Sequence, residues 1–430
     1  MNIYIHTFGC SANQALSEMM AGLLQKSGYE IVNNINNSDL IIVSGCWVKG
    51  TTEQRLLYYL KDVQEKYPNK KLIISGCAPE VGYRKLTDIA PDVSLVSAHH
   101  IKKIAQAVKK TLEGKRIELL GESNEIELCL PRIRKNPVIG ITVISSGYNG
   151  NCTYCATKIA KGSLYSYPKT KIINEITLSL KEGCKEIWIT SQDTGAFGID
   201  KYNESRLPQL LNEISRIPGN FITRVGMMNP NNISPILSEL IEAFNSKKIY
   251  KFIHIPVQSG NNEILKKMNR FYTIKEYEEI VKSFRDAFRC TVWTDIIVGY
   301  PGETDEQFKD SLNMIKRLEP DWVNISRFAK REGTPAAKLK QLDTEEMKRR
   351  TNTITNLVNN IALKRNEKWK DWIGEILITE KGKKDGQWIG RNFAYKPILI
   401  NKSGNLLGKK FKVKIINATP SILVGWPIKP

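Results

Sequence analysis

Leu40-Ile41-Ile42-Val43-Ser44-Gly45-Cys46 is a short apolar run that closes on Gly-Cys. The pattern recurs at residues 71–77, and again at residues 2–10, where Phe8-Gly9-Cys10 ends the run. Unbroken apolar runs of this length mark strands buried on both faces of a parallel sheet. Helix-length segments at 14–27 and 52–66 separate them, so residues 1–115 are expected to form a small doubly wound α/β domain. The carboxyl ends of its strands share one edge, where ligands of such sheets bind. Cys10, Cys46 and Cys77 then converge there although they lie far apart in sequence. The glycine before each lets the backbone bend and approach a bulky group. Three thiolates are the donor set of an iron–sulfur cluster with one iron left open; the bland alternative is three buried structural cysteines.

The composition around this domain narrows what it serves. A chain of 430 residues suits about three domains, at roughly 100–200 residues each. The formal net charge is +20. An excess that large raises the local concentration of a polyanion. Nucleic acid is therefore the leading partner class, an acidic membrane surface the second, and a Lys-rich, thermally adapted surface the bland alternative. No stretch approaches the roughly 18 apolar residues of a membrane span. Residues 1–10 lack the basic and long apolar regions of a signal peptide, so a cytoplasmic protein without a membrane anchor is expected. Eight cysteines in a reducing compartment point to metal or catalysis rather than disulfides.

Residues 116–135 read as a polar linker ending in Arg132-Ile133-Arg134-Lys135. A second strand–helix series fills 136–366. Its candidate strands at 139–144, 186–190, 221–225, 252–257, 291–298 and 322–328 predict a partial (β/α)6 barrel. Short strands at 375–379, 398–400, 411–416 and 422–424 predict a small antiparallel β-barrel of the oligonucleotide-binding kind over 367–430. There Trp369, Trp372, Trp388, Phe393, Tyr395 and Trp426 interleave with cations that include Lys383 and Arg391. Cations track phosphates and aromatic faces stack on unpaired bases, although some of these rings must fill the barrel. The fold class is α/β throughout the first two domains.

Directly after the first barrel strand, on the face where barrel active sites lie, stands Gly147-Tyr148-Asn149-Gly150-Asn151-Cys152-Thr153-Tyr154-Cys155. With this loop in place, the chain resembles a radical S-adenosylmethionine (radical SAM) methylthiotransferase. The superfamily's mark is Cys-x3-Cys-x2-Cys after the first barrel strand. Cys152 and Cys155 match its second and third cysteines and Tyr154 its aromatic residue, whereas Tyr148 stands where the first cysteine belongs. A phenol is a harder, poorer ligand for iron–sulfur chemistry than a thiolate. Tyr148 is an alteration, or it ligates, or the site is dead, and the sequence leaves the three readings open. A lone Cys-x2-Cys also suits zinc or redox work, but no second pair completes a zinc site.

The resemblance spans nearly the whole chain: a methylthiotransferase N-terminal domain at 1–115, a radical SAM barrel at 136–366 and an RNA-binding TRAM module at 367–430. Residues 132–137, 190–198, 254–259 and 294–304 match the archaeal and eukaryotic branch that acts on N6-threonylcarbamoyladenosine in tRNA. The resemblance implies methylthiolation of C2 of that nucleoside at position 37, 3′ of the anticodon. It also implies two [4Fe-4S] clusters, an auxiliary one on Cys10, Cys46 and Cys77 and a radical one on Cys152 and Cys155, together with S-adenosylmethionine. The partners it implies are the tRNA anticodon arm and an electron donor such as a ferredoxin or flavodoxin; a monomer is expected.

Tyr154, Gln192, Asp193, Gln258, Asp295 and Gly299 are the expected cofactor-binding residues. Gln192 and Asp193 follow a barrel strand and face the barrel top, Gln258 offers an amide that donates and accepts, and Gly299 opens a turn of close backbone approach. Arg224 and Arg331, near strand ends, are expected to bind a carboxylate of S-adenosylmethionine or substrate, or a phosphate; a barrel-rim salt bridge is their alternative. Lys383 and Arg391 are the expected RNA contacts. His254 reads as a core histidine, and Cys129, Cys184 and Cys290 as structural. The rival substrates are isopentenyladenosine in tRNA and a ribosomal protein. The rival outside catalysis is a tRNA-binding iron–sulfur protein impaired at Tyr148.

Overall fold

The computed structural model describes residues 1–47 and 50–428, leaving aside the side chain of Thr51. Its N-terminal sheet is wholly parallel, in the order β2 (Glu30–Val32), β1 (Asn2–Thr7), β3 (Leu40–Gly45), β4 (Lys71–Gly76), β5 (Ser94–Ser97), β6 (Glu118–Leu119). Residues of β3 alternate between two cores. Leu40 and Ile42 pack under α1 (Ser11–Lys26) and α4 (Ile104–Leu112), with Leu16, Met19, Met20 and Leu24. Ile41 and Val43 pack under α2 (Gly50–Lys66) and α3 (Ala78–Ile89), with Leu56, Leu60 and Leu86. Two covered faces are why the run is apolar without a break, and each fully buried aliphatic side chain contributes about 1.5–3 kcal/mol. The order in which the strands are laid down reverses between β1 and β3, the switch point where ligands of this topology bind.

Two features differ from the sequence reading. The linker's Glu118–Leu119 pairs with β5 and extends the sheet, because even two extended residues cap an otherwise open edge. The helix after β1 begins at Ser11 rather than residue 14, since Cys10 takes the N-cap position.

The central domain has six parallel strands, as expected: β7 (Ile139–Val143), β10 (Glu186–Thr190) and β11 (Ile222–Val225) in one sheet, and β12 (Phe252–His254), β13 (Thr291–Val298) and β14 (Trp322–Arg327) in another. A parallel bridge between Thr223 and Ile249 joins the two. β12 ends at His254 rather than residue 257; Pro256 has no N–H to give a ladder. A small hairpin, β8 (Ser145–Ser146) with β9 (Tyr165–Ser166), frames the loop that follows β7. Glu186, Trp188, Arg224, His254 and Asp295 occupy the inward-facing register, while Ile187, Ile189 and Ile253 face the surrounding helices.

The C-terminal domain is a closed five-stranded barrel, β15 (Ile373–Lys381), β16 (Gln387–Arg391), β17 (Pro397–Asn401), β19 (Leu423–Pro427), β18 (Lys410–Ala418). Closure uses one parallel pair, β17 with β19. β16 is absent from the sequence reading because Gly390 and its polar flanks hide a half-buried strand. The domain plugs the foot of the central barrel: Tyr395 packs 4.9 Å from both Tyr250 and Phe252. Lys396 donates to Asp321 at 2.8 Å and to Asn366 at 2.7 Å, all three side chains buried. Among the described residues no helix is long and apolar enough to cross a membrane.

Candidate active site

Cys10, Cys46 and Cys77 follow β1, β3 and β4, three neighbouring strands, on one edge and at the switch point. Gly9 has φ +120°, and a Cβ there would lie 2.6 Å from the Cβ of Cys46, so the turn bearing Cys10 presses against the neighbouring cysteine. Gly76 has φ +87°, and a Cβ on it would meet the Gly45 carbonyl at 2.6 Å. Cys10 and Cys77 are the N-cap residues of α1 and α3. Cys46 and Cys77 are buried and Cys10 is exposed. Among the described residues no three Cys, His, Asp or Glu gather closely enough to grip a single metal ion. The three soft donors, with a glycine-lined approach, fit a larger iron–sulfur group.

Two residues that the sequence reading missed complete this edge. Asn13, fully buried, donates to the Phe8 carbonyl at 3.1 Å and accepts from the Cys77 thiol at 3.6 Å. Lys161 ends the five-residue α5 (Thr157–Lys161), just past the barrel cysteines, and reaches back to Cys77. Burial works to lower its pKa, but Cys77, Glu127 and Cys10 together hold the ammonium above its ordinary value. Burial also pushes the Cys77 thiol up while Lys161 pulls it down. Lys161 is thus a buried cation set against two of the three thiols. No spacing rule marks it, because the contact exists only once the domains dock.

The second cysteine group sits on the mouth of the barrel. Arg270, another residue missed, is buried and donates to the Cys152 sulfur at 3.5 Å, to the Pro256 carbonyl at 2.9 Å and to the Tyr272 hydroxyl at 3.0 Å. The Cys155 thiol donates to Thr157 at 2.9 Å. Tyr148 is buried, with its ring folded onto Gly150, where a Cβ would lie 2.5 Å from it. Asn229 donates to the Tyr148 hydroxyl at 3.4 Å. Burial first, then Cys152 and Asp193, raise the Tyr148 pKa, so its oxygen stays protonated. Cys152 and Cys155 fit two corners of a cluster; the phenol does not supply the third thiolate.

The other expected site residues divide. Asp193 is buried and accepts from the Gly195 and Asn229 amides at 2.9 and 3.0 Å and from the Asn232 side chain at 2.7 Å, so it ties the strand-end loops together beside Tyr148. Gln192, its neighbour on that loop, is half-buried at the same mouth. Gln258 takes φ +69°, pinned between the Asp295 carbonyl and the Ile297 amide, a strained backbone of the kind found at ligand clamps. Asp295 lies inside the barrel and accepts from Asn324 at 2.7 Å, with His254 at 3.1 Å. Tyr154 packs with Tyr300 and Phe328 behind the loop. Gly299 is covered by Met347, 3.1 Å from where a Cβ would stand, so it faces the long helix 344–367 rather than open space. Arg331 is buried and ion-paired with Glu53 across the domain boundary. Lys383 is exposed on the C-terminal barrel, as an RNA contact requires. Arg391 instead turns inward, pairing with Glu380 at 2.9 Å and stacking 4.6 Å from Tyr395.

Direct contacts link the regions that carry the two cysteine groups. Ser11, next to Cys10, meets Thr190 at the barrel mouth, hydroxyl to hydroxyl at 3.0 Å. Ala15 of α1 packs on Ile139 and Ile141.

The chain is similar to known proteins over each part. Family models match at residues 2–98, described as "Uncharacterized protein family UPF0004", at 142–315, the Radical SAM superfamily, and at 373–426, the TRAM domain. The probable threonylcarbamoyladenosine tRNA methylthiotransferase of Methanothermobacter thermautotrophicus is 38% identical over 99% of both chains. That of Pyrococcus horikoshii is 39% identical over 99% of both. The Homo sapiens threonylcarbamoyladenosine tRNA methylthiotransferase is 34% identical over 99% of this chain and 74% of its own. In fold, the radical S-adenosylmethionine methyltransferase TsrM of Kitasatospora setae superposes with TM-score 0.58 at 14% identity, over 78% of this chain and 74% of that one.

Proposed function

We propose, from the premise that this chain belongs to the threonylcarbamoyladenosine tRNA methylthiotransferases and carries their radical SAM domain, that it methylthiolates C2 of N6-threonylcarbamoyladenosine at position 37 of tRNA. The observation that carries the reading is the contact between the two cysteine-bearing regions: Ser11 touches Thr190 at the barrel mouth, and Lys161 runs from the barrel loop to Cys77. A four-iron cluster at the barrel loop would supply radical chemistry with S-adenosylmethionine, and a second cluster at the sheet edge would supply the sulfur. Cys10, Cys46 and Cys77 would hold the latter, Cys152 and Cys155 the former.

The chain's own residues do the placing. Asp193 fixes the loops around the mouth through its three donors. Gln192, Gln258 and Asp295 line the barrel toward Cys152 and Cys155, where S-adenosylmethionine would lie, and Tyr154 backs that loop. Arg270 sets its guanidinium beside the Cys152 sulfur and offsets thiolate charge in a dry setting. Lys383 and the surrounding basic surface hold the anticodon arm by its phosphates, and the target base is splayed from its stack to enter the mouth. A ferredoxin or flavodoxin supplies electrons to a monomeric, cytoplasmic enzyme.

Mass spectrometry of tRNA nucleosides from cells with and without the gene tests the substrate. Loss of the methylthio group from the threonylcarbamoyl nucleoside is expected; a change confined to the isopentenyl nucleoside overturns the assignment. Anaerobic reconstitution with an iron count and a 5′-deoxyadenosine assay tests the barrel site. Tyr148→Cys, which adds a thiolate, is expected to raise both readings above wild type. Unchanged values would show that two thiols and the phenol already suffice.

A further inference from the structure

Arg224 stands on β11 inside the barrel, in register with Trp188 on β10. Its guanidinium carbon lies 5.3 Å from the ring centres of Trp188 and Phe252 and 5.5 Å from that of Tyr395. Those rings favour the cation without using its N–H groups. No described residue hydrogen-bonds or ion-pairs with Arg224, and its Nε is wholly buried. The carboxyls nearby are engaged elsewhere: Glu186 accepts from the Tyr250 hydroxyl at 2.7 Å and from the Trp188 indole, and Glu380 pairs with Arg391. Burial raises the Glu186 pKa, against the pull of its Trp188 and Tyr250 hydrogen bonds and of the Arg391 and Arg224 charges, so Arg224 feels that carboxyl without bonding to it. Arg224 is half-buried, and a planar anion that meets its fork gains charge-assisted hydrogen bonds that no described residue supplies.

Depth fits a particular anion. Thr190, which touches Ser11 at the mouth, lies two residues beyond Trp188, or about 7 Å along the strand. Arg224 is therefore one layer below the opening at which the target base would sit. The threonylcarbamoyl arm is a short chain on the adenine N6 that ends in a carboxylate. An isopentenyl arm ends in hydrocarbon and would leave the guanidinium desolvated and unpaired, the arrangement by which a polar site rejects an apolar analogue most strongly.

We propose that Arg224 receives the carboxylate of the threonylcarbamoyl arm and so sets the substrate class of the barrel, an inference that rests on the tRNA-modifying function above. The test uses the reconstituted full-length protein and two synthetic anticodon stem-loop RNAs. One carries N6-threonylcarbamoyladenosine and the other its uncharged threoninamide counterpart. Wild type should bind the carboxylate RNA about tenfold or more tightly, the scale of charged hydrogen bonds. In Arg224→Met the ratio should fall to about one, and Arg224→Lys, which keeps the charge without the fork, should retain part of it. No preference in wild type overturns the proposal, and so does a preference unchanged in Arg224→Met. A variant that loses S-adenosylmethionine affinity with the ratio intact assigns the guanidinium to that molecule and also overturns it. A wild type that prefers the carboxylate RNA but methylthiolates neither keeps the carboxylate site and rejects the function.

Discussion

Alanine at Gly9 would place a Cβ 2.6 Å from the Cβ of Cys46, about 1 Å inside an ordinary carbon–carbon contact. It would also hold a side chain at φ +120°, a strain of about 1–2 kcal/mol. Gly28 separates the two effects, because it has φ +87° with nothing within 4 Å of its would-be Cβ. Gly28→Ala therefore carries the backbone strain without the collision. Metal–ligand bonds tolerate about 0.2 Å of displacement. A shift of about 1 Å at Cys10 or Cys46 thus ends three-point ligation at the sheet edge. The assay is iron and sulfide per chain after anaerobic reconstitution, beside thermal melts of both variants. Gly28→Ala should lose about 1–2 kcal/mol of stability and keep wild-type iron, whereas Gly9→Ala should lose more, because the collision adds about 1–3 kcal/mol, and should lose the sheet-edge share of iron. Full iron in Gly9→Ala would refute the reasoning, as would equal iron loss in both.

Glu127 is buried, and burial, against the pull of Lys161, pushes its pKa up to about 8 from an ordinary 4.5. A raised folded-state pKa means that its contribution is fully present below about 4.5 and is lost as pH rises through about 8. Melts across that window should fall with pH in wild type and flatten in Glu127→Gln; parallel curves would count against it. Arg132 and Glu175 pair at 2.7 Å with side chains only 2% and 3% exposed. Arg132→Met strands the carboxylate and should cost about 3–5 kcal/mol, partly recovered by adding Glu175→Gln, as denaturant titration would show. If the +20 charge serves RNA, tRNA affinity should fall linearly with salt on logarithmic axes, and a flat binding series would remove that reading.

The parts of this molecule legible in sequence are those whose signal is local. A strand covered on both faces writes itself as an apolar run, which is why β1, β3 and β4 and their Gly-Cys ends are readable. Arg270 and Lys161 are not readable, since each meets its sulfur only through tertiary packing; Arg270 lies 118 residues from Cys152. The alternation of cations and rings in the C-terminal domain misleads at Arg391 and Tyr395. That pattern describes an RNA surface and a plug for the barrel foot equally well, and only the partner, Tyr250 and Phe252 below, decides. Arg331 fails for a similar reason: its anion is Glu53 of another domain.

Exposure adds a direction to the site. Of the three sheet-edge cysteines only Cys10 is exposed, and its neighbour Ser11 is the residue that touches the barrel. The accessible cysteine is thus the one next to the contact with the barrel mouth. Lys161 covers Cys77, which is buried. Because α5 carries Lys161 at one end and follows the Cys152–Cys155 loop at the other, displacement of that loop moves a cation against Cys77. The two cysteine groups are mechanically joined through one short helix. A change at Tyr148, whose amide is bonded to the Gly162 carbonyl at 3.0 Å just past that helix, should for this reason be felt at the sheet edge as well as in the barrel.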